Sequence, residues 1–430
     1  MQNWREYKKV LLPDIPDFHK IDVYKQHGGY EMLRDAVTTD KWDPKKVIDT
    51  VKAANIRGRG GAGFNAGLKW SFMPPKQEGV PRYLACNGDE SEPGTFKDRR
   101  LFEYNPHQFI EGAILACYAT EMEAAYVYIR GEYADWIDMM QKAVDDAYAK
   151  GAAGKNIFGS DFTCDVYVHS GAGAYICGEE TSLMESLEGK RAYPRSKPPF
   201  PAQKGLWSKP TTINNIETLA NVPLVLRHGP EWISYQGAPT TNGPVHNGIS
   251  GHVHRPGVYE FPTGMEMKTL IYDVAGGIRN GKKLKQVSPG GSSCPLITAE
   301  EVEAGLTMDA DSLRTVGSVM GTAGMCVLDE DTDIVKFTLR IAKFYDHESC
   351  GQCTPCREGT GWFVKILKKF DNGTATYRDI DKLLELCDTM EGRTVCALAD
   401  ATAWPVRSAL KKFRSDFESR ISTKEVFTVA

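Results

Sequence analysis

Apolar and polar positions along the chain fall into three textures. Up to about residue 240, short apolar runs alternate with segments of helical period. After a short helix at 47–54, the run at 83–87 predicts a buried strand end and 124–129 and 165–169 predict two more strands. Between and after them, 108–119, 134–150 (closed by Gly151) and 179–187 (stopped by Gly189) read as helices. Strands alternating with helices at this spacing predict an α/β layer. The first 45 or so residues are mixed, proline-punctuated and carry no identifiable chemistry. Residues 237–251, rich in Gly, Pro, Asn and Thr, read as a linker. Beyond them, strand-like runs at 258–261 and 284–287 flank a short helix at 269–275, a small α+β unit. From 333 the pattern is helical nearly to the end, at 333–345, 361–370, 377–390 and 401–417, which makes an α-bundle. The expected division is 1–240, 245–330 and 333–430, with no internal repeat and no low-complexity tract.

Composition narrows the class. The 430 residues, 41% hydrophobic and 25% charged, are those of a globular chain of two or three domains, so disorder and collagen-like repetition are excluded. A net charge of −4 argues against a nucleic-acid coat or a polybasic membrane patch. No apolar run approaches the ~18–20 residues that span a bilayer, and the N-terminus lacks the apolar core of a signal peptide. Membrane association is therefore expected only through partners. Eleven cysteines, an odd number in a chain read as non-secreted, point to reduced thiols or metal ligands.

The sharpest local signal is Cys350-Gly351-Gln352-Cys353-Thr354-Pro355-Cys356, followed at a distance by Cys396. Thiols at i, i+3 and i+6 cannot share one face of a straight helix, but they can converge from a loop that opens one. A compact triplet plus one remote cysteine suits a [4Fe–4S] cube, whose irons take one protein ligand each. Structural zinc, which more often pairs two C-x-x-C knuckles, is the alternative. Cys387 lies near enough to compete as fourth ligand but falls inside an apolar helical stretch. Cys86, Cys117, Cys164, Cys177, Cys294 and Cys326 sit among small or apolar residues as expected buried thiols.

Gly58, Gly60 and Gly63 satisfy G-x-G-x-x-G, yet a helix precedes them where a dinucleotide fingerprint needs a strand. Their physical content stands without that label. Small residues allow close backbone approach to a ring or phosphate, while Arg57, Arg59 and Lys69 add charge and Phe64, Trp70 and Phe72 add aromatic faces. The acidic loop 87–94 follows an apolar strand, where solvation alone would explain it. Glu179 and Glu180 open a helix after Gly171-Ala172-Gly173-Ala174, favoured there by the helix dipole and better suited to hydroxyls or a ring than to a pyrophosphate. Asn214 and Asn215 stand at a helix start, either as caps or as ligand hydrogen-bonders. The histidines are scattered without metal-ligand spacing.

Taken in order, R-G-R-G-G-A-G-F, N-G-D-E-S-E-P-G-T-F-K-D-R, G-A-G-A-Y-I-C-G-E-E-T, N-N-I-E-T and E-S-C-G-Q-C-T-P-C-R-E-G closely resemble the NADH-binding flavoprotein subunit of respiratory complex I, over about residues 25–420. The resemblance implies a Rossmann-like FMN-binding α/β domain, a ubiquitin-like β-grasp domain and a four-helix bundle with a [4Fe–4S] cluster. It implies that Gly58, Arg59, Gly60, Gly61, Ala62, Gly63, Gly67 and Lys69 contact FMN and the dinucleotide, with Phe64, Phe72 and Phe200 near the adenine. Asn87, Asp89 and Glu90 would hold the isoalloxazine and ribityl groups, and Glu92 would hydrogen-bond NADH. Tyr175, Gly178, Glu179 and Glu180 would line the NADH site, Lys197 would reach the dinucleotide's polar parts, and Asn214, Asn215 and Thr218 would bind the FMN phosphate end. Cys350, Cys353, Cys356 and Cys396 would ligate the cluster. One departure is Asn65-Ala66, where the family usually has Pro-Thr.

The implied activity is hydride transfer from NADH to FMN, then single electrons through the cluster to a [2Fe–2S] thioredoxin-like subunit and a large multi-cluster subunit. The implied place is the peripheral arm, on the cytoplasmic side of the inner membrane. Glu180, if it reaches the adenosine ribose, would disfavour the extra phosphate of NADPH by like-charge repulsion. The same module occurs in NAD-linked hydrogenases and formate dehydrogenases, which often carry extra cysteine domains. A non-catalytic module with a zinc-stiffened bundle is the reading from a different class, and it predicts a colourless protein.

Overall fold

In the computed structural model, which describes residues 4–421, the apolar runs of the first half assemble a parallel sheet. β1 (Tyr83–Gly88), β2 (Ala124–Ile129), β3 (Asp165–Ser170) and β4 (Thr211–Asn215) lie in the order β3-β2-β1-β4, every neighbour parallel. Leu84, Ala85 and Cys86 are buried, as a strand covered on both faces requires. From β1 the chain moves outward through β2 and β3, then returns to the other side of β1 as β4. This is the Rossmann-like arrangement, and its crevice lies at the carboxyl ends of β1 and β4, where the direction of winding reverses. Asn87 stands opposite Asn215 there.

Helix Pro106–Ala119 is apolar almost all round because nearly every one of its residues is buried. Its one buried carboxylate, Glu111, accepts hydrogen bonds from the Tyr24 hydroxyl (2.5 Å) and the Tyr30 and Leu33 amides (2.8 and 3.2 Å). That carboxylate fastens helices Ile21–Gln26 and Glu31–Thr38, two elements in the stretch that the sequence reading left unassigned. Where the long helix crosses helix Ile216–Ala220, a Cβ on Gly112 would stand 1.9 Å from the Leu219 carbonyl oxygen.

Residues 237–251 are not simply a linker. Most of the second half of that stretch is β5 (Pro244–Gly251), which pairs antiparallel with β6 (Gly257–Pro262) and parallel with β9 (Gly324–Asp329). With β7 (Leu284–Ser288) and β8 (Ile297–Thr298) the order is β6-β5-β9-β7-β8, a β-grasp sheet packed on Leu270 and Ile271 of the π-helical turn Thr269–Val274. β5 looks like a linker because its polar residues are buried against distant partners: the His246 amide donates to Glu217 of the first unit (2.9 Å).

The third unit is built from helices Ile334–Glu348, Thr354–Asp371, Tyr377–Met390 and Leu398–Lys412. The second begins seven residues before the expected start, with Pro355 in its first turn, where a missing N–H costs nothing. The expected helix at 401–417 starts earlier and breaks near Phe413, before helix Arg414–Glu418. Among the described residues no helix is long and apolar enough to cross a membrane.

Gly112→Ala is expected to destabilise the protein by about 1–3 kcal/mol, because the clash with Leu219 outweighs alanine's better helix propensity. Urea unfolding checks this; an unchanged or raised midpoint would mean that the two helices separate freely.

Candidate active site

Three loops meet at the carboxyl ends of β1 and β4. Asn215 caps helix Ile216–Ala220: its Oδ1 accepts from the Glu217 and Thr218 amides (3.0 and 3.4 Å). Its Nδ2 donates to Asp98 (2.7 Å) and to the Asn87 carbonyl (3.4 Å). The Asn214 Oδ1 accepts from the Trp70 indole (3.0 Å), and the Thr218 hydroxyl accepts from the Arg59 amide (2.8 Å). The glycine loop is thereby laid across the Asn-Asn turn, and a Cβ on Gly60 would come within 3.2 Å of the Asn215 side chain.

Several residues expected to meet a ligand are spent on the scaffold. The Arg59 guanidinium is buried and donates to the Asn242 and Pro244 carbonyls (2.6 and 3.0 Å), so only its main chain remains with the loop. Gly67 is a packing glycine, since a Cβ there would stand 2.2 Å from the Lys52 nitrogen. The Glu90 carboxylate accepts from the Lys97 and Asp98 amides (both 2.6 Å) and from the Tyr133 hydroxyl (3.2 Å). Burial and the nearby Asp98 push its pKa up, and the side chain stabilises the loop. Gly58, Gly61, Ala62 and Gly63 line a cavity of about 150 Å³ with Arg57, Arg314 and Thr322. Asn87, Asp89 and Glu92 do not line it.

The acidic loop keeps one unanswered group. Asp89 is buried, its Oδ2 accepts from the Ser91 hydroxyl (2.5 Å), and its Oδ1 has no partner. Burial raises its pKa to about 7 against the Ser91 hydrogen bond and the charge of Arg130. Gly178 lies beside it: the Asn87 amide donates to the Gly178 carbonyl (2.9 Å), and a Cβ on Gly178 would stand 3.2 Å from Asp89 Oδ2. A ligand that offers an N–H or hydroxyl to Oδ1 answers the orphan.

On the far side of Gly178, Glu179 caps helix Glu180–Leu187 through the Thr181 and Ser182 amides (2.8 and 2.9 Å). Glu180 accepts from Lys69 (2.8 Å) and Lys197 (2.5 Å). Burial opposes its ionisation, yet the two ammonium groups hold its pKa down to about 2. The two cations therefore offset the lone negative charge expected from Glu180. Phe64 and Phe72 are exposed with ring centroids 6.0 Å apart; Phe200 is also exposed but makes ring contact with neither among the described residues.

Glu92 and Tyr175 are joined, Tyr175 hydroxyl to Glu92 Oε2 at 2.8 Å. The Tyr175 amide donates to Glu348 (3.0 Å), in the last turn of helix Ile334–Glu348. Cys350 follows after Ser349, with Gly351 at φ +80° and Cys353 as the cap of the next helix. The Val395 amide donates to Cys353 Sγ (3.3 Å) and the Ser349 hydroxyl lies 3.2 Å from Cys356 Sγ. Burial raises the Cys396 thiol to about 12, with Cys350 and Cys356 close enough to add to the shift. Among the described residues no three Cys, His, Asp or Glu converge as on a single ion. As a donor set, four thiols are of the chemistry that a [4Fe–4S] cluster takes, one thiolate per iron. Cys387 belongs to the core, its Sγ 3.5 Å from the Ala403 carbonyl. Cys326 is only partly buried.

The sequence reading missed Lys97, Arg130, Ser292, Ser293 and Tyr345. Lys97 is buried with its Nζ on Asp98 (2.8 Å) and Glu217 (2.7 Å); burial lowers its pKa, but the two carboxylates raise it further. It lay inside a quoted motif, and Ser292 and Ser293 follow two glycines, so a signal existed for both.

Comparison with known proteins gives three family matches in order. Residues 51–224 match the Nuo51 FMN-binding domain, 247–336 the SLBB domain, and 336–420 the NADH-ubiquinone oxidoreductase-F iron-sulfur binding region. The chain is 49% identical over 420 residues to the F-2 subunit of NADH-quinone oxidoreductase of Rhizobium meliloti (strain 1021), covering 97% of this chain and 99% of that protein. It is 52% identical over 405 residues to the F subunit of NADH-quinone oxidoreductase of Rickettsia bellii (strain OSU 85-389), covering 94% and 96%. It is also similar to a chain of the NAD+-reducing [NiFe]-hydrogenase in its air-oxidised state, with a TM-score of 0.79 and 35% identity, covering 88% of this chain and 63% of that one. For the H2-reduced state the TM-score is 0.80 and the identity 34%, covering 93% and 65%. The chain thus spans less than two-thirds of those hydrogenase chains.

Lys97→Met strands two buried carboxylates and is expected to cost about 3–5 kcal/mol. The loss should shrink in acid, where the stranded groups take up protons. Chemical unfolding across pH measures both; a loss under about 1 kcal/mol at neutral pH would show the ammonium to be dispensable.

Proposed function

The chain belongs to the family of NADH-quinone oxidoreductase F subunits, and on that premise we propose a place for each cofactor on the residues described. The protein is the NADH-oxidising subunit of that complex, working with FMN and a [4Fe–4S] cluster. FMN supplies an acceptor for a hydride that can pass electrons on singly, and the cluster supplies their way out.

The observation that carries the assignment is the orphaned, buried Asp89 Oδ1 just past the carboxyl end of β1, beside Asn87 and Gly178. FMN would lie there, its ring or ribityl donors answering Asp89 and its phosphate end toward Asn214, Asn215 and Thr218. NADH would stack over it between Glu92, Tyr175 and the Glu179–Glu180 turn, with Lys69 and Lys197 meeting its charged linkage and Phe64, Phe72 and Phe200 the adenine. No side chain needs to act as acid or base in the hydride step; these groups orient two rings and keep water out. Cys350, Cys353, Cys356 and Cys396 would ligate the cluster. The division 1–240, 245–330 and 333–430 serves as the working boundary of the three units.

Within the complex, a [2Fe–2S] thioredoxin-like subunit and a large multi-cluster subunit would take the electrons, on the cytoplasmic side of the inner membrane. The similarity to NAD+-reducing hydrogenase supports a second reading, a diaphorase subunit of a hydrogenase; the higher identity to the quinone-oxidoreductase relatives favours the first.

Anaerobic titration with NADH is expected to bleach a flavin band together with a broad iron–sulfur band. Flavin bleaching alone would remove the cluster assignment, and a protein still colourless after supply of FMN, iron and sulfide would overturn the reading. Cys396→Ser should lose the broad band, whereas Cys387→Ser should keep it. Glu180→Gln is expected to raise the NADPH-to-NADH rate ratio about tenfold, since it removes a negative charge and frees two lysines. An unchanged ratio would dismiss charge repulsion as the source of cofactor choice.

A further inference from the structure

The acidic loop rests on the β-grasp unit. The Ser292 amide donates to the Pro93 carbonyl (3.0 Å), and the Thr95 and Thr322 hydroxyls lie 2.5 Å apart. Glu92 is bound from the same side: its Oε1 accepts from the Ser293 amide (2.7 Å) and the Ser292 hydroxyl (3.3 Å). The Ser292 hydroxyl also lies 2.8 Å from the Tyr345 hydroxyl of the helical bundle. The loop that brings these donors is braced, Ser288 hydroxyl to Gly291 carbonyl at 2.6 Å and Thr322 amide to Gly290 carbonyl at 3.1 Å. Gly291 has φ +107°, and a Cβ there would stand 2.4 Å from Glu92 Cγ and 2.5 Å from Oε1. Only glycine leaves room for the carboxylate where it lies.

We infer that the β-grasp unit is part of the dinucleotide site: its 288–294 loop, with Tyr345, positions Glu92 for NADH. The inference rests on the proposed contact between Glu92 and the dinucleotide. Gly291, Ser292 and Tyr345 are positioning residues that act through that carboxylate. Burial raises the Glu92 pKa, and the Ser293, Tyr175 and Ser292 donors oppose the rise. The titratable groups packed against it are Tyr175, Tyr345 and Cys294, each pushed upward by burial.

The test uses the purified protein loaded with FMN and cluster, with NAD+ binding read by calorimetry and NADH oxidation by an artificial electron acceptor. Gly291→Ala should weaken NAD+ binding about tenfold and raise KM more than it lowers kcat. In a Glu92→Ala background, where the clash is gone, the same substitution should change binding less than about twofold. Ser292→Ala, a milder variant should Gly291→Ala fail to fold or load, should move the acid limb of NADH affinity to higher pH, because it removes a donor to the ionised carboxylate. Equal losses from Gly291→Ala in both backgrounds, or unchanged binding and pH profile in Ser292→Ala, would overturn the inference. So would normal NAD+ affinity in Glu92→Ala itself, with wild-type NADH oxidation leaving the functional reading intact. A wild-type protein that neither binds nor oxidises NADH would instead sink that reading.

Discussion

A single buried ammonium group lies where the acidic loop, the Asn-Asn turn and the first strand of the β-grasp unit are tied together. Lys97 bonds Asp98 and Glu217, and its own amide donates to Glu90. Each of these partners holds something else: Asp98 receives the Asn215 amide, Glu217 receives the amide of His246 from β5, and Glu90 receives the Tyr133 hydroxyl. The acidic loop, the Asn-Asn turn and the first strand of the β-grasp unit therefore share one sealed set of charges. Such a set is costly to bury and costlier to break, because removing any member leaves another unpaired away from water. Its yield is geometry: the acidic loop and the Asn-Asn turn are held against each other at the carboxyl ends of β1 and β4.

The three units are joined by the same kind of bond, a carboxylate of one collecting donors from others. Glu260 on β6 gathers the Val10, Leu11 and Leu12 amides and the Tyr7 hydroxyl, which straps the N-terminal segment to the β-grasp unit. Glu348 of the bundle takes the Tyr175 amide, and Glu92 takes donors from the β-grasp loop and from Tyr175. Each junction is directional, so the relative placement of the units follows from hydrogen-bond geometry as well as from apolar burial.

What could be read from the sequence was local. The apolar run of β1 ending in Asn87, and the cysteine triplet with its helix-opening proline, carry their meaning within a few residues. β4 was missed because Thr211-Thr212-Ile213-Asn214-Asn215 has neither an apolar run nor clean alternation; the capping role of Asn215 was readable, the strand before it was not. β5 was missed because its buried polar residues are balanced by groups far away in sequence. The same non-locality hid the burial of the Arg59 guanidinium, the inward turn of Glu90 and the reach of Ser292 to Glu92. Composition names the residue types that a site needs, but which of them are consumed by the scaffold depends on the tertiary partner.

The residues proposed for the dinucleotide and the cysteine loop are separated by one helix turn. On helix Ile334–Glu348, Tyr345 reaches Ser292 and Glu348 reaches Tyr175, and three residues apart they share one face. The next residue, Ser349, bonds Cys356 Sγ, and Cys350 follows it. Two redox groups that exchange electrons must keep a short and constant separation. A loop could close that distance but would let it fluctuate, whereas a helix end pinned at both neighbouring residues fixes it. The aromatic contacts among Tyr175, Phe344 and Tyr345, with ring centroids 5.2–5.6 Å apart, fill the space beside that turn and leave little room for it to shift.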